Sequence, residues 1–270
     1  MRISLLHATY RAGNAAVGLR GRWLDESTGI HVIEHLFACD ADDEVSMGCP
    51  AIAAGVVGPP VLRVSAVRNW NAAAAVATGD LLFVIADDLW PPHHWDGDLA
   101  SALGDLDPTR VPFVIKVGDS DDDDNGHIRH PVVSRRYFER FGLWRPEYDG
   151  HWVDHDFTIS AYLNGLVLDG RRIKFYHAHP TSGAEHTESH LRIRSESAVQ
   201  GRQLFETRYP AWRRQVLRRY YRPKPGTVVV SERLRRSRGL LARVGHLKSV
   251  VPLRTRRTLR VSLHGSARSK

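Results

Sequence analysis

The stretch that most limits what this chain can become is "RNWNAAAAVATGDLLFVIADD", residues 68 to 88. Its alanine-rich start has high helix propensity, and Gly79 reads as the stop of that helix. Directly after it, "LLFVIA" is a strand-like run with no polar alternation, which requires cover on both faces. Two further apolar runs, residues 3–8 ("ISLLHA") and 31–39 ("HVIEHLFAC"), read as strands, and 61–65 ("VLRVS") is a shorter candidate. Strand, helix and strand in alternation give an α/β chain with a mostly parallel sheet flanked by helices. Ligands of such sheets bind beyond the carboxyl ends of the strands. Tyr10, Asp40 and Asp87 each fall just past such an end.

Downstream, "HWDGDLASALGDL" reads as a helix, "VPFVIKVG" as a strand, and "SRRYFERFG" and "HWVDHDFTISAYLNG" as helices stopped by Gly142 and Gly165. A strand pair, "LVLDG" and "RRIKFYHAH", precedes a polar segment rich in Thr, Ser, His and Glu. No internal repeat is visible. Hydrophobic residues make up 42% and charged residues 25% of the chain, and no run approaches the roughly 18 apolar residues of a membrane helix. The opening "MRISLLHATYR" reads as a first strand, its apolar run being too short for a signal-peptide core. Cys39 and Cys49 are too few for a disulfide framework and lack zinc-ligand spacing, so a reducing, cytoplasmic setting is expected.

Charge divides the chain in two. From Trp212 to Lys270 there are 18 Lys or Arg against the single acid Glu232, a net +17. With +8 on the whole chain, residues 1–211 carry −9. A domain of residues 1–211 followed by a basic extension of 212–270, helical or partly disordered, is expected, each part with different partners.

Asp87 and Asp88 stand side by side at the end of a buried strand, where they repel unless a cation or proton neutralises them. Mn2+ or Mg2+ would do so while keeping positions for phosphate oxygens. A solvated turn capping the next helix is the simpler alternative. His177 and His179 in "FYHAHP" share one face of a strand by its period of two. The run Asp121–Asp124 reads as a solvated loop, since consecutive acids cannot all face one ion, and His93 and His94 as surface or acceptor-pocket residues.

In order and spacing, "RNWNAAAAVATGDLLFVIADD" resembles the segment of family 2-like glycosyltransferases of the GT-A fold in which a helix opened by Arg-Asn leads to the DxD-type metal motif. The later "HPVVSRRYFERFGLWRPEYDGHWVDHDFTISAYLNG" is similar to the acceptor side of that family. The resemblance spans about residues 1–180. It implies that Thr9, Tyr10 and Arg11 border the nucleotide base and that Asp40 accepts a hydrogen bond from it. It further implies that Arg68 and Asn69 contact ribose or diphosphate, that Asp87 meets the ribose or sugar, and that Asp88 is the metal ligand. A His at the end of a late strand, His177 or His179, would complete the metal site. Asp154 would be the general base.

The chain departs from the family pattern at Ala86, which leaves two acids where three are usual, and at Val153, where the family has Glu. The base could therefore shift to Asp156, whose side chain diverges from Asp154 by about 200° on a helix. Asp40 capping a turn and Asp156 being merely solvated are the corresponding structural alternatives. Trp90, Trp95, Trp144 and Trp152 could stack on sugar faces or pack in the core.

The resemblance implies transfer of a sugar from a nucleotide-sugar donor, a UDP-sugar by expectation, to a hydroxyl of a glycan or lipid-linked acceptor, with inversion. The basic tail opens a second reading: an anionic membrane surface, on the inner face, with nucleic acid less expected, and a degenerate transferase domain. A third reading, a nucleotidyltransferase, calls for a glycine-rich phosphate loop that "ATYRAGNAAVG" does not supply.

Overall fold

The structure is a computed structural model, and it describes residues 1–57, 65–119, 127–164, 166–177, 188–210, 227–230, 250–252 and 259–262. In chain order the elements are β1 (Arg2–Ala8), α1 (Asn14–Asp25), β2 (Val32–Cys39), α2 (Glu44–Met47), α3 (Pro50–Ala53), β3 (Val56–Val57), α4 (Ala66–Val76), β4 (Leu81–Ala86), β5 (Leu89–Trp90) and α5 (Trp95–Leu103). There follow β6 (Phe113–Gly118), β7 (Val132–Ser134), α6 (Arg135–Phe141), α7 (Val153–Asn164), β8 (Leu166–Lys174), β9 (Tyr176–His177), α8 (Glu188–Arg208), β10 (Thr227–Val230), β11 (Val250–Pro252) and β12 (Leu259–Ser262).

Six strands form the central sheet in the order β2-β1-β4-β7-β6-β8. β1 pairs in parallel with both β2 and β4, and β6 with β8, while β7 runs antiparallel between β4 and β6. The short β3 extends the β2 edge in parallel. Of the expected strand "VLRVS", residues 61–64 lie outside the described residues, and Ser65 caps α4. At the other edge β10 joins β8 antiparallel, followed by β12 and β11; these three strands are the described part of residues 212–270.

Side chains alternate across the sheet, so each apolar run feeds two cores. Ile3, Leu5, Leu81, Phe83, Ile85, Phe113 and Ile115 face α1 and α5, where Trp23, Trp95 and Phe175 pack on Phe83. Leu6, Leu82, Val84, Val114 and Val133 face α4, α6 and α7. Burying a side chain of this size stabilises by about 1.5–3 kcal/mol, which explains why β4 has no polar position. The buried indoles are also hydrogen-bonded: Trp23 Nε1 donates to Leu89 O at 3.2 Å and Trp95 Nε1 to Trp23 O at 3.0 Å.

The helix α4 starts at Ser65, whose hydroxyl accepts from Arg68 N, and its Ala73 and Ala74 allow close approach to the sheet. It ends at Val76, three residues before Gly79, so that glycine is not its stop. Gly79 instead crosses close to β1: a Cβ there would lie 2.6 Å from Ser4 N and 2.7 Å from Leu81 O. The carbonyls of Ala77 and Gly79 are taken by the Arg135 guanidinium at 2.7–3.0 Å, which ties α6 to this corner. Gly142 does end α6, at φ 72°. The expected pair "LVLDG" and "RRIKFYHAH" is one continuous strand, β8, with an irregular register near Gly118, followed by the separate two-residue β9.

Candidate functional site

The carboxyl ends of β1, β2 and β4 lie side by side, and the chain turns there into Thr9, Asp40 and Asp87. Asp40 is 1% exposed; Asn69 Nδ2 from α4 donates to its Oδ1 at 3.0 Å. Its Oδ2, like Asn69 Oδ1 and Thr9 Oγ1, is buried without a hydrogen-bond partner among the described residues. Burial raises the Asp40 carboxyl above its ordinary value, the Asn69 hydrogen bond opposing and the nearby Asp42 and Asp43 reinforcing that shift. Asp40 does not cap the adjacent short helix: Asp43 does, accepting from Ser46 N. Arg11, at φ 54°, donates its backbone N–H to Asp43 at 2.7 Å and holds its guanidinium 5.1 Å from the Tyr10 ring centre. Arg68 is near Asp149 at 3.7 Å, with both side chains over 40% exposed, so the pair holds Arg68 only weakly.

Asp87 and Asp88 point to different partners. Asp87 Oδ1 accepts from His7 Nε2 at 2.9 Å and Oδ2 from Tyr10 N at 3.2 Å. His7 Nδ1 in turn meets His35 Nε2 at 2.9 Å. Burial, then the neighbouring His7 and Arg20, drives His35 well below its ordinary value, so it is neutral. The result is a line of imidazoles inside the sheet that fixes Asp87. Both histidines stand inside largely apolar strands, and that is the sequence signal for them.

Asp88 faces His177, Nε2 to Oδ2 at 3.3 Å. The small antiparallel sheet of β5 and β9 creates this meeting by pairing Leu89 with His177. Burial works to raise the Asp88 carboxyl, but the His177 hydrogen bond and charge, with that of His130, outweigh it and hold it below the ordinary range. The His130 ring packs edge-on against His177 at 4.7 Å, and its Nδ1 is 3.0 Å from buried Asp119. A carboxylate and an imidazole converging at the end of β4 form a donor set that fits Mn2+ or Mg2+. His179 and Asp121–Asp124 lie outside the described residues.

The first turn of α7 separates its two acids. Asp154 Oδ2 is 2.8 Å from His127 Nε2, and its Oδ1 accepts from His155 N at 2.8 Å and faces His155 Nδ1 at 3.0 Å. Burial would raise its carboxyl, yet the hydrogen bonds from His127 and then His155 hold it well below the usual carboxylate range. Asp156 is 2% exposed and is not solvated: Arg145 Nε donates to it at 2.8 Å, Tyr148 OH at 3.3 Å, and Arg208 stands at 3.7 Å. Trp95 and Trp144 are core residues, while Trp90 and Trp152 are partly buried beside the two cores. His93 pairs with Glu26 at 3.0 Å and is exposed, a surface residue as expected. A depression of about 330 Å3, lined by residues including Met1, His31, Asp80 and Pro108, lies at the amino-terminal edge of the sheet, away from all of these groups.

No protein-family model and no curated protein matches the chain. Solved structures do. Staphylococcus aureus TarS 1-349 in complex with UDP-GlcNAc is similar with a TM-score of 0.50 at 14% identity, covering 74% of this chain and 66% of that one. The mannosyltransferase PcManGT of Pyrobaculum calidifontis, in complex with GDP-Man and Mn2+, is similar with a TM-score of 0.53 at 16% identity, over 74% of this chain and 62% of that one. The chain thus spans slightly under two thirds of the length of these neighbours. Identities this low carry fold, and the sheet order, the helices on both faces and these neighbours agree: the chain has the GT-A fold of glycosyltransferases.

Proposed function

We propose that the chain is a glycosyltransferase that moves a sugar from a nucleotide-sugar donor, a UDP-sugar, to a hydroxyl acceptor, with inversion and with Mn2+ or Mg2+. The observation that carries this reading is the meeting of Asp88 and His177 beside Asp87 at the end of β4, with the buried Asp40–Asn69 pair two strands along the sheet. Among the described residues, Asp40 Oδ2 and Asn69 Oδ1 are acceptors without partners, suited to the N–H groups of a base, and Thr9, Tyr10 and Arg11 border the same edge. Arg68, loosely held by Asp149, is available to a diphosphate. Asp87, fixed by His7, serves the ribose or sugar.

Asp88 and His177 would hold the ion, which when bound offsets the charge of the departing diphosphate. Asp154 is the proton acceptor: the acceptor oxygen bonds to the anomeric carbon as the bond to phosphate breaks, the nucleoside diphosphate leaves with that electron pair, and the hydroxyl proton passes to Asp154. An acid held this low takes the proton late, once bond formation has acidified the hydroxyl. Asp156 is 2% exposed and tied to Arg145 and Tyr148, whereas the Asp154 side chain is 30% exposed, which favours Asp154 over it. On charge alone, the tail from Trp212 to Lys270 fits an anionic membrane surface on the cytoplasmic face, which a lipid-linked glycan acceptor would share; sedimentation with anionic and neutral vesicles tests that part.

The test is calorimetric titration of UDP, GDP and dTDP with Mn2+ and with EDTA. Mn2+-dependent binding of UDP is expected, lost in Asp88→Ala. Asp154→Asn should bind the donor nucleotide but lose transfer by about 10²–10⁴-fold. Absence of binding by all three nucleotides in both conditions refutes the reading.

A further inference from the structure

Two imidazoles and a carboxylate converge on the first turn of α7. His127, Asp154 and His155 each offer a ligand atom, all within 4.8 Å of one another. We propose that they form a transition-metal site that takes Zn2+ and its analogue Co2+, distinct from the Asp88–His177 pair.

The chemistry separates the two places. A single carboxylate with one imidazole leaves most positions to phosphate and water, the preference of Mg2+ and Mn2+. Two imidazoles with one carboxylate is a zinc set, three protein ligands and an open fourth position. Here the fourth position faces solvent, because Asp154 is 30% and His155 45% exposed, while His127 is 12% exposed.

The support behind the ligands is already built. Lys116 Nζ donates to His127 O at 2.7 Å, Ile128 N donates to Thr158 Oγ1 at 3.0 Å, and that hydroxyl donates to Asp154 O at 2.7 Å. The strand lead carrying His127 is thereby clamped to the turn carrying the other two ligands, the kind of outer support that orients metal-binding side chains. Both imidazoles hydrogen-bond the one carboxylate, at 2.8 and 3.0 Å. An ion would displace the hydrogen-bonding protons without a large movement of any of the three. Its consequence for catalysis rests on the reading of Asp154 as proton acceptor: Zn2+ occupancy would remove that carboxylate from the reaction and inhibit transfer.

Co2+ titration of the full chain, followed by the visible absorption of tetrahedral Co2+ and by competition with Zn2+, tests the site without any assay of transfer. The signal should appear in the wild type, persist in Asp88→Ala and in the His93→Ala/His94→Ala double variant, and weaken at least about 100-fold in His155→Ala and in His127→Gln. His155 is half exposed, so its truncation leaves the fold intact, as circular dichroism would verify. A wild type without the signal, or a signal unchanged in both ligand variants, overturns the proposal. Nucleotide titration in Mn2+ on the same samples reports on the transferase reading separately, so one can fail while the other stands.

Discussion

Replacing Asp156 by Ala separates structural from chemical roles on α7. The carboxylate is 2% exposed and accepts from Arg145 Nε at 2.8 Å and from Tyr148 OH at 3.3 Å. Its loss strands the Tyr148 hydroxyl, whose residue is 1% exposed, at about 1–3 kcal/mol. Breaking a fully buried ion pair costs about 3–5 kcal/mol, but the Arg145 side chain is 45% exposed and water can take over its guanidinium, so that contribution is discounted to about 1 kcal/mol. The sum, about 2–4 kcal/mol, corresponds to a Tm lowered by roughly 4–16 °C in a chain of this size. Urea and thermal unfolding followed by circular dichroism measure it. The surviving folded fraction, assayed at low temperature, should still bind the donor nucleotide and transfer. A variant with unchanged Tm and abolished transfer would refute the argument and move the proton acceptor from Asp154 to Asp156.

Gly79→Ala places a methyl group against the backbone of Ser4 and Leu81, atoms that cannot rotate away, so destabilisation at the upper end of about 1–3 kcal/mol is expected in urea unfolding. His7→Leu leaves Asp87 with one backbone partner; donor affinity measured by calorimetry should fall roughly tenfold, equivalent to the about 1.5 kcal/mol of one charged hydrogen bond. The Asp119 carboxyl, which burial would raise, is held below its ordinary value by His130, then Lys116 and Arg129. A depressed folded value gives stability that is present above the unfolded value, near 3.9, and lost as pH falls through the folded one. The Tm gap between wild type and Asp119→Asn should therefore be full at pH 7 and shrink only in strong acid; a gap that is constant with pH would contradict the ion-pair account.

The centre of the sheet was legible because β4 has nothing but apolar residues until Asp87, a pattern that few structures other than a doubly covered strand accommodate. The alanines of α4 were legible for the same reason. α1 was not read from the sequence: its buried positions, Ala16, Leu19 and Trp23, form a narrow stripe diluted by Gly18, Gly21 and two arginines, Arg20 and Arg22. Two-residue strands such as β5 and β9 have no periodicity at all, so the contact between Asp88 and His177 was open to expectation only through family resemblance. Gly79 shows the converse error. A glycine after a helix invites reading as a stop, while its cause here is a crossing backbone that only the tertiary structure contains.

The β5–β9 pairing also bears on the order in which the chain assembles. Asp88 follows β4 and His177 lies in β9, far later in the chain, so their proximity requires two distant parts of the chain to pair. Added Mn2+ should therefore leave the refolding rate untouched and slow unfolding instead, since a bond formed after the transition state stabilises only the native side of the barrier. On the proposed reading, an ion at this position would act as a late rivet and not as a nucleus.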